Sequence, residues 1–140
     1  MEVRSAMTAN PACCSRDTLV PQVAQMMIDN DCGEIPVVDE RGAPVGVITD
    51  RDITTRVVAQ GRDPSQCTAG EAMSSQVQTV RADSDVKDAY SMMEEAQIRR
   101  VPVVDDNDKV VGMFALADLA LSGKNRATAR TVREVSEPRH

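Results

Sequence analysis

The 140-residue chain has no tryptophan, one tyrosine (Tyr90) and one phenylalanine (Phe114). Nucleic-acid binders usually combine stacking rings with a basic track. A formal net charge of −6 without aromatic platforms argues against that class. The only histidine is the terminal His140. No nucleophile is accompanied by a recognisable base, so no catalytic constellation emerges and an enzyme is not expected. Four cysteines (Cys13, Cys14, Cys32, Cys67) form neither a C-x-x-C pair nor a histidine-supported cluster, which gives no metal site. The adjacent Cys13 and Cys14 are poorly placed to bond each other, and packing thiols are the plainer reading. No apolar run approaches the roughly 18 residues that cross a bilayer, and the N-terminus lacks a charged-then-apolar leader pattern. A cytoplasmic protein with reduced cysteines is the expectation.

What the chain does contain is aliphatic. Val, Ile, Leu, Ala and eight Met must supply the core, and the length suits one ordinary compact module. Charge is unevenly spread: residues 124–140 hold Lys124, Arg126, Arg130, Arg133 and Arg139 against Glu134 and Glu137, leaving an acidic body and a basic tail. A solvated, frayed end is the expected state of that tail.

The strongest organisational signal is a repeat. Residues 6–53 lie over 72–119 without a gap, at an offset of 66, and 13 of the 48 positions are identical. Unrelated segments would share about three at ordinary residue frequencies. In the first copy, Pro11 to Cys14 reads as a short extended piece and Ser15 to Thr18 as a helix cap. Val20, Val23, Ala24, Met27 and Ile28 then make one apolar helical stripe that ends near Asp31 to Gly33. Ile35 to Val38 and Val45 to Ile48 read as a hairpin around Asp39 to Gly42, with Pro36 at a strand start or edge. A second helix carries Ile53, Val57 and Val58 and ends at Gly61. The second copy repeats the plan: a strand near Gln78 to Val80, a cap at Asp83 or Ser84, the stripe of Val86, Ala89, Tyr90 and Met93, the hairpin of Val101 to Val104 and Val110 to Phe114, and a last helix. The expected division is repeat 1 at 1–61, a linker at 62–72, repeat 2 at 73–122 and the tail at 123–140. Each copy is strand, helix, strand, strand, helix, an α/β unit whose exposed sheet face requires a cover.

The stretch Gly46-Val47-Ile48-Thr49-Asp50-Arg51-Asp52 ends a strand and opens a helix, where free N–H groups and the dipole favour an anion by roughly 0.3–2 kcal/mol. Gly46 permits close approach to the backbone. Thr49 offers a hydroxyl, Arg51 a fork for phosphate oxygens, and Asp52 an acceptor for vicinal ribose hydroxyls. Thr49 and Asp52 equally spell a capping box that needs no ligand. In the second copy Ala115 replaces Thr49 while Asp118 stays, and a carboxylate kept without its capping partner favours the sugar contact.

The doubled unit with its Met7-Thr8 and Met73-Ser74 openings, the hairpin starts Ile35-Pro36-Val37-Val38-Asp39 and Val101-Pro102-Val103-Val104-Asp105, the Gly46–Asp52 motif and Arg99-Arg100 resembles a tandem pair of cystathionine β-synthase (CBS) domains over about residues 3–122. The resemblance implies a stand-alone sensor module of the small bacterial kind. Its two β-α-β-β-α repeats would pack through their sheets about a pseudo-two-fold axis, and two modules would form a disc-shaped homodimer. Clefts between the repeats would take an adenine nucleotide (AMP, ADP, ATP) or S-adenosylmethionine as a regulatory ligand, with no obligatory cofactor. By the same resemblance Thr49 would hold phosphate, Asp52 ribose, and Asp118 ribose in the second cleft. Asn10, Ala12, Cys13, Ile35, Pro36 and Val37 would border adenine, as would Val77 to Thr79 and Val101 to Val103, Pro102 included. Arg51 and Arg100 would contact phosphate, and Gly46 and Asp50 complete the set. The change at Ala115 and Leu116 implies one good site and one weak or empty one. The alternatives are a ligand-independent dimeric scaffold for a client protein and, third, a redox or metal sensor built on the cysteines.

Overall fold

The computed structural model describes residues 1–121, so the basic tail lies outside the described residues. The chain forms two compact α/β units. One consists of Pro11–Val77 with Asp108–Val110, and is called here the first-repeat unit. The other combines Met1–Asn10 and Gln78–Asn107 with residues 111–121, and is the second-repeat unit. The ten residues expected to open the first repeat therefore build into the second-repeat unit, and residues 73–77 build into the first.

The second-repeat unit contains β1 (Thr8–Ala9), β4 (Val80–Arg81), α4 (Val86–Ala96), β5 (Arg100–Val104), β6 (Val110–Ala115) and α5 (Leu116–Leu121). Its sheet runs β1-β6-β5-β4. The β1 strand is antiparallel to β6, with Thr8 opposite Met113, and β4 is parallel to β5, with Val80 opposite Val103. Phe114, Met93, Val86, Val101, Val103 and Val3 are fully buried in its core. Removing such a side chain from water contributes about 1.5–3 kcal/mol.

The first-repeat unit holds α1 (Val20–Asp29), β2 (Glu34–Val38), β3 (Pro44–Thr49), α2 (Asp50–Asp52) and α3 (Ala69–Ala72). The β2 and β3 strands pair antiparallel, with Glu34 opposite Thr49. Single bridges extend this hairpin on both sides, Cys14 parallel to Val37 and Ser74 antiparallel to Val47. Adding 66 to Cys14, Val37 and Val47 and subtracting 66 from Ser74 returns the β4–β5 and β1–β6 pairs, so the two units share one register. The leading segment of each repeat is thus an edge piece of the other repeat's unit. Pro36 lies inside β2. Its carbonyl accepts from Cys14 N–H (3.0 Å), so its ring nitrogen turns to the side where the neighbour is a single bridge and no N–H is needed.

Helix starts fall slightly later than the caps expected from sequence. Leu19, not Ser15 to Thr18, precedes α1, and Gln22 Oε1 accepts Leu19 N–H (3.2 Å). Thr18 is used locally, its hydroxyl accepting Ser15 N–H (3.1 Å). Asp85, rather than Asp83 or Ser84, caps α4 by accepting Lys87 N–H (2.8 Å). Along α1, Val20, Val23 and Met27 are buried as expected, whereas Ile28 is 73% exposed.

Candidate functional site

Thr49 closes β3, and the chain turns at once into α2. Thr49 Oγ1 accepts Asp52 N–H (3.0 Å) while Asp52 Oδ2 accepts Thr49 N–H (3.0 Å), a reciprocal capping box. Asp50 Oδ1 accepts Arg51 N–H (2.8 Å), and Asp50 N–H donates to Gly33 O (3.0 Å). After Asp52 the helix widens into a π-helical turn over Ile53–Val58, with Ala59 N–H donating to Thr54 O (2.8 Å). Such turns are rare and recur at functional sites.

Asp52 is the one buried charged residue among those described, at 8% exposure. Its second oxygen, Oδ1, accepts from Ser74 Oγ (3.3 Å) and faces Arg56 Nε (3.7 Å). Arg56 is in turn held by Met73 O, to which Nη1 donates (2.7 Å). Two groups at this corner remain uncommitted. The Thr49 hydroxyl accepts one bond and donates none among the described residues, and Arg51, exposed on the first turn, has no ion-pair partner among them. A hydroxyl donor and a guanidinium two residues apart at a helix start, both unpaired among the described residues, suit an anionic or strongly polar group.

Gly46 does permit a close approach, but by the chain itself. A Cβ at Gly46 would lie 2.6 Å from Met73 Sδ and 2.7 Å from Ser74 O. In the second-repeat unit a Cβ at Gly112 would likewise collide with Met7 Sδ, and would lie 3.0 Å from Thr8 O. The repeated Gly and the repeated Met-Thr or Met-Ser opening are two halves of one packing contact.

The other candidates divide between the units. Ala12, Cys13, Ile35, Pro36 and Val37 belong with Thr49 and Asp52 in the first-repeat unit, while Asn10, Arg100, Pro102 and Asp118 belong to the second-repeat unit. Ile35 and Val37 are 1% and 0% exposed in the core, so they present only backbone to any ligand. Val101 and Val103 are buried in the same way, and Pro102 is buried too. Cys13 is half-buried and its thiol donates to Pro11 O (3.5 Å). Burial pushes its pKa up, and burial together with the neighbouring Cys13 pushes Cys14 up to about 11. All four cysteines are free thiols, and among the described residues no group of three or more His, Cys, Asp or Glu could hold a metal ion.

Asp118 also caps. Its Oδ2 accepts Ala115 N–H (2.9 Å), which is half of the box seen at Thr49 and Asp52. Its retention is therefore accounted for by the helix start, without a sugar. Burial raises its pKa, against the lowering pull of the Ala115 N–H and the Arg100 guanidinium. An open hollow of about 550 Å³, lined by Ser15, Arg16, Asp17, Val38, Asp39, Glu40 and Arg41, was not anticipated from sequence. It lies at the end of β2 remote from Thr49. Its only sequence cue is the charge density of the Asp39-Glu40-Arg41 turn.

The CBS domain model matches residues 3–59 and 69–122. The chain belongs to the CBS domain family. It is 39% identical to the CBS domain-containing protein YhcV of Bacillus subtilis over 127 residues, 91% of this chain and 89% of YhcV. It spans 57% of the length of a Methanopyrus kandleri relative that is 36% identical over 116 residues, 83% of this chain. Among solved structures it resembles Hypoxic Response Protein I with two coordinated zinc ions (TM-score 0.80, 33% identity, 86% of this chain and 98% of that one). It also resembles the CBS domain pair of protein MJ0100 in complex with 5′-methylthioadenosine and S-adenosyl-L-methionine (TM-score 0.77, 30% identity, 87% and 98%). The expected family and α/β class are those found, and CBS pairs are regulatory modules.

Proposed function

We propose that this CBS pair senses an adenosyl ligand, AMP, ADP, ATP or S-adenosylmethionine, at the β3–α2 corner of the first-repeat unit, and acts as a regulator without catalysis. The observation that carries the reading is the likeness to a CBS pair holding two adenosyl compounds. In this chain the uncommitted Thr49 hydroxyl and Arg51 guanidinium would take the phosphate or the amino-acid end, and Asp52 the ribose diol. Arg100 and Asp118 would offer a weaker counterpart, because Ala115 has no hydroxyl. Calorimetric titration with the four ligands tests this: at least one should bind and raise the melting temperature, as any ligand of the native state must. Asp52→Asn and Thr49→Ala should each weaken binding at least tenfold. Lack of binding by all four at millimolar concentration would overturn it.

One observation favours a second reading, a ligand-independent scaffold: the reciprocal Thr49–Asp52 capping box gives both residues a helix-start role that needs no ligand. Under it, both variants keep full cellular activity and no ligand shifts the melting temperature. In either case we propose a homodimer, supported by Ile28 on α1 and Val58 in the π-helical turn, apolar side chains 73% and 61% exposed in one unit. Sedimentation equilibrium measures it, and Ile28→Asp with Val58→Asp should yield monomers. A cytoplasmic site of action is part of the same proposal; no described helix is long and apolar enough to cross a membrane.

A further inference from the structure

A carboxylate offers about four acceptor positions, two on each oxygen. At Asp52 the chain occupies one position on each: Thr49 N–H donates to Oδ2 (3.0 Å) and Ser74 Oγ–H donates to Oδ1 (3.3 Å). Arg56 Nε stands 3.7 Å from Oδ1, beyond hydrogen-bond distance, and contributes charge without filling a position. One acceptor position therefore stays open on each oxygen, which matches two hydroxyls on neighbouring carbons, one donor to each. The Thr49 amide fixes Oδ2 as part of the helix cap, whereas the bond that fixes Oδ1, and with it the plane of the carboxylate, comes from Ser74. Ser74 is firmly anchored for that task. Its N–H donates to Val47 O (2.8 Å) and its carbonyl accepts Val47 N–H (3.0 Å). In the second-repeat unit Thr8 stands opposite Met113, the place that matches Ser74 opposite Val47. Yet among the described residues no hydrogen bond joins the Thr8 hydroxyl to Asp118. A hydroxyl at this place does not bond the aspartate as a mere by-product of the fold.

We infer that Ser74 is a positioning residue of this site: its hydroxyl sets the orientation of the Asp52 carboxylate, and through it the preference for a vicinal diol over a single hydroxyl. The inference rests on the adenosyl reading above and deepens it. It also makes the Met73-Ser74 opening of the second sequence repeat a working part of the site carried by the first. Without the Ser74 hydroxyl, Oδ1 has no hydrogen bond among the described residues and the carboxylate is free to turn about its Cβ–Cγ bond, while Oδ2 stays tied to the Thr49 amide. The ligand hydroxyl that Oδ1 would take is then the one whose bond weakens.

The test is calorimetric titration of the full chain with AMP, S-adenosylmethionine and the 2′-deoxy and 3′-deoxy forms of AMP, comparing wild type, Ser74→Ala and Ser74→Thr. Ser74→Ala should weaken AMP and S-adenosylmethionine by about three- to tenfold, the worth of one hydrogen bond. One of the two deoxynucleotides, the one lacking the hydroxyl that Oδ1 would take, should change by less than about twofold on the same scale. Ser74→Thr keeps the hydroxyl and should restore AMP binding. Unchanged or tighter AMP binding by Ser74→Ala, with a wild-type circular dichroism spectrum, overturns the inference and leaves the adenosyl reading in place. An equal loss for AMP and both deoxynucleotides also overturns it, because a role in stability alone weakens every ligand alike. A loss in Ser74→Thr as large as in Ser74→Ala counts against it in the same way. Absence of binding of all four compounds by the wild type removes the adenosyl reading and the inference with it.

Discussion

Gly46→Ala gives the sharpest test of how the leading segments are built into the units. Gly46 sits within β3 in ordinary extended backbone, so the cost of a methyl group is steric rather than conformational. Its Cβ would meet Met73 Sδ at 2.6 Å and the backbone oxygen of Ser74 at 2.7 Å, both inside the distance that real Cβ contacts keep. The thioether can swing away, but Ser74 O cannot, because it accepts Val47 N–H (3.0 Å) while Ser74 N–H donates to Val47 O (2.8 Å). Overpacking of this kind costs about 1–3 kcal/mol, or a fall in melting temperature of roughly 4–12 °C for a chain of this size. Gly61→Ala is the contrast. Nothing lies within 4 Å of its Cβ, and its cost, about 1 kcal/mol, comes from a φ of +70°. Urea and thermal unfolding of Gly46→Ala, Met73→Ala and the double variant would separate the two contacts. Relief of the sulfur contact should make the double variant about 0.5–1 kcal/mol more stable than the single effects sum to, with the carbonyl part remaining. A Gly46→Ala midpoint within 1 °C of wild type, or strict additivity, would refute the packing account.

Three further outcomes are expected. Ala115→Thr restores the missing hydroxyl acceptor for Asp118 N–H, copying the Thr49–Asp52 box, and should stabilise the chain by about 0.5–1 kcal/mol in thermal melts; destabilisation would mean the second box has a different geometry. Asp118 has its pKa raised in the fold by burial, so between its unfolded and folded values the native state holds more protons and stability falls as pH rises through that interval. Its carboxyl carbon, followed by NMR, should titrate above the usual aspartate range, and a midpoint at or below 3.8 refutes the burial argument. Cys14, with its thiol pushed to about 11, and the buried Cys67 should resist iodoacetamide at pH 8 in the native protein and react in urea, which mass spectrometry resolves; alkylation of native Cys14 at the rate of a free thiol would contradict its burial.

Much of the fold was legible because the offset of 66 carries the apolar periodicity from one copy to the other, and Val20/Val86, Met27/Met93 and Val37/Val103 are core in both units. The helix starts were not, because Ser15-Arg16-Asp17-Thr18 offers several hydroxyl or carboxylate caps, yet none of them caps α1, whose start is set by where Leu19 is held. Leu19 is bridged to Thr68, far along the chain. The placement of residues 1–10 and 73–77 was hidden for the same reason. A two-residue edge strand has no periodicity of its own, and nothing in Met7-Thr8 says which of two equivalent hairpins it will pair with. The site was half legible: the cap and the uncommitted Thr49 hydroxyl follow from the motif, whereas Ser74 and Arg56 on Asp52 appear only in three dimensions.

Three of the identical pairs, Gly46/Gly112, Asp39/Asp105 and Asp52/Asp118, have packing or turn work of their own in both copies. Gly46 and Gly112 make room for Met73 and Met7. Asp39 accepts the Arg41 and Ala43 amides (2.9 and 3.0 Å), and Asp105 accepts the Asn107 amide (2.9 Å), so both close the hairpin turn. Asp52 and Asp118 each accept the amide three residues back. Every one of these residues has a backbone task that persists with no ligand, so identity between the copies is no argument for two working sites. What can distinguish the units is where they differ: Thr49 against Ala115, Arg51 against Ala117, and Ser74 beside Asp52 against Thr8 at the matching place in the other unit. The uncommitted donors fall on the first member of the first two pairs. Chemical asymmetry between the units, rather than their likeness, is therefore the feature on which the proposal of a single strong adenosyl site rests, and a binding stoichiometry of two equal sites per chain would contradict it.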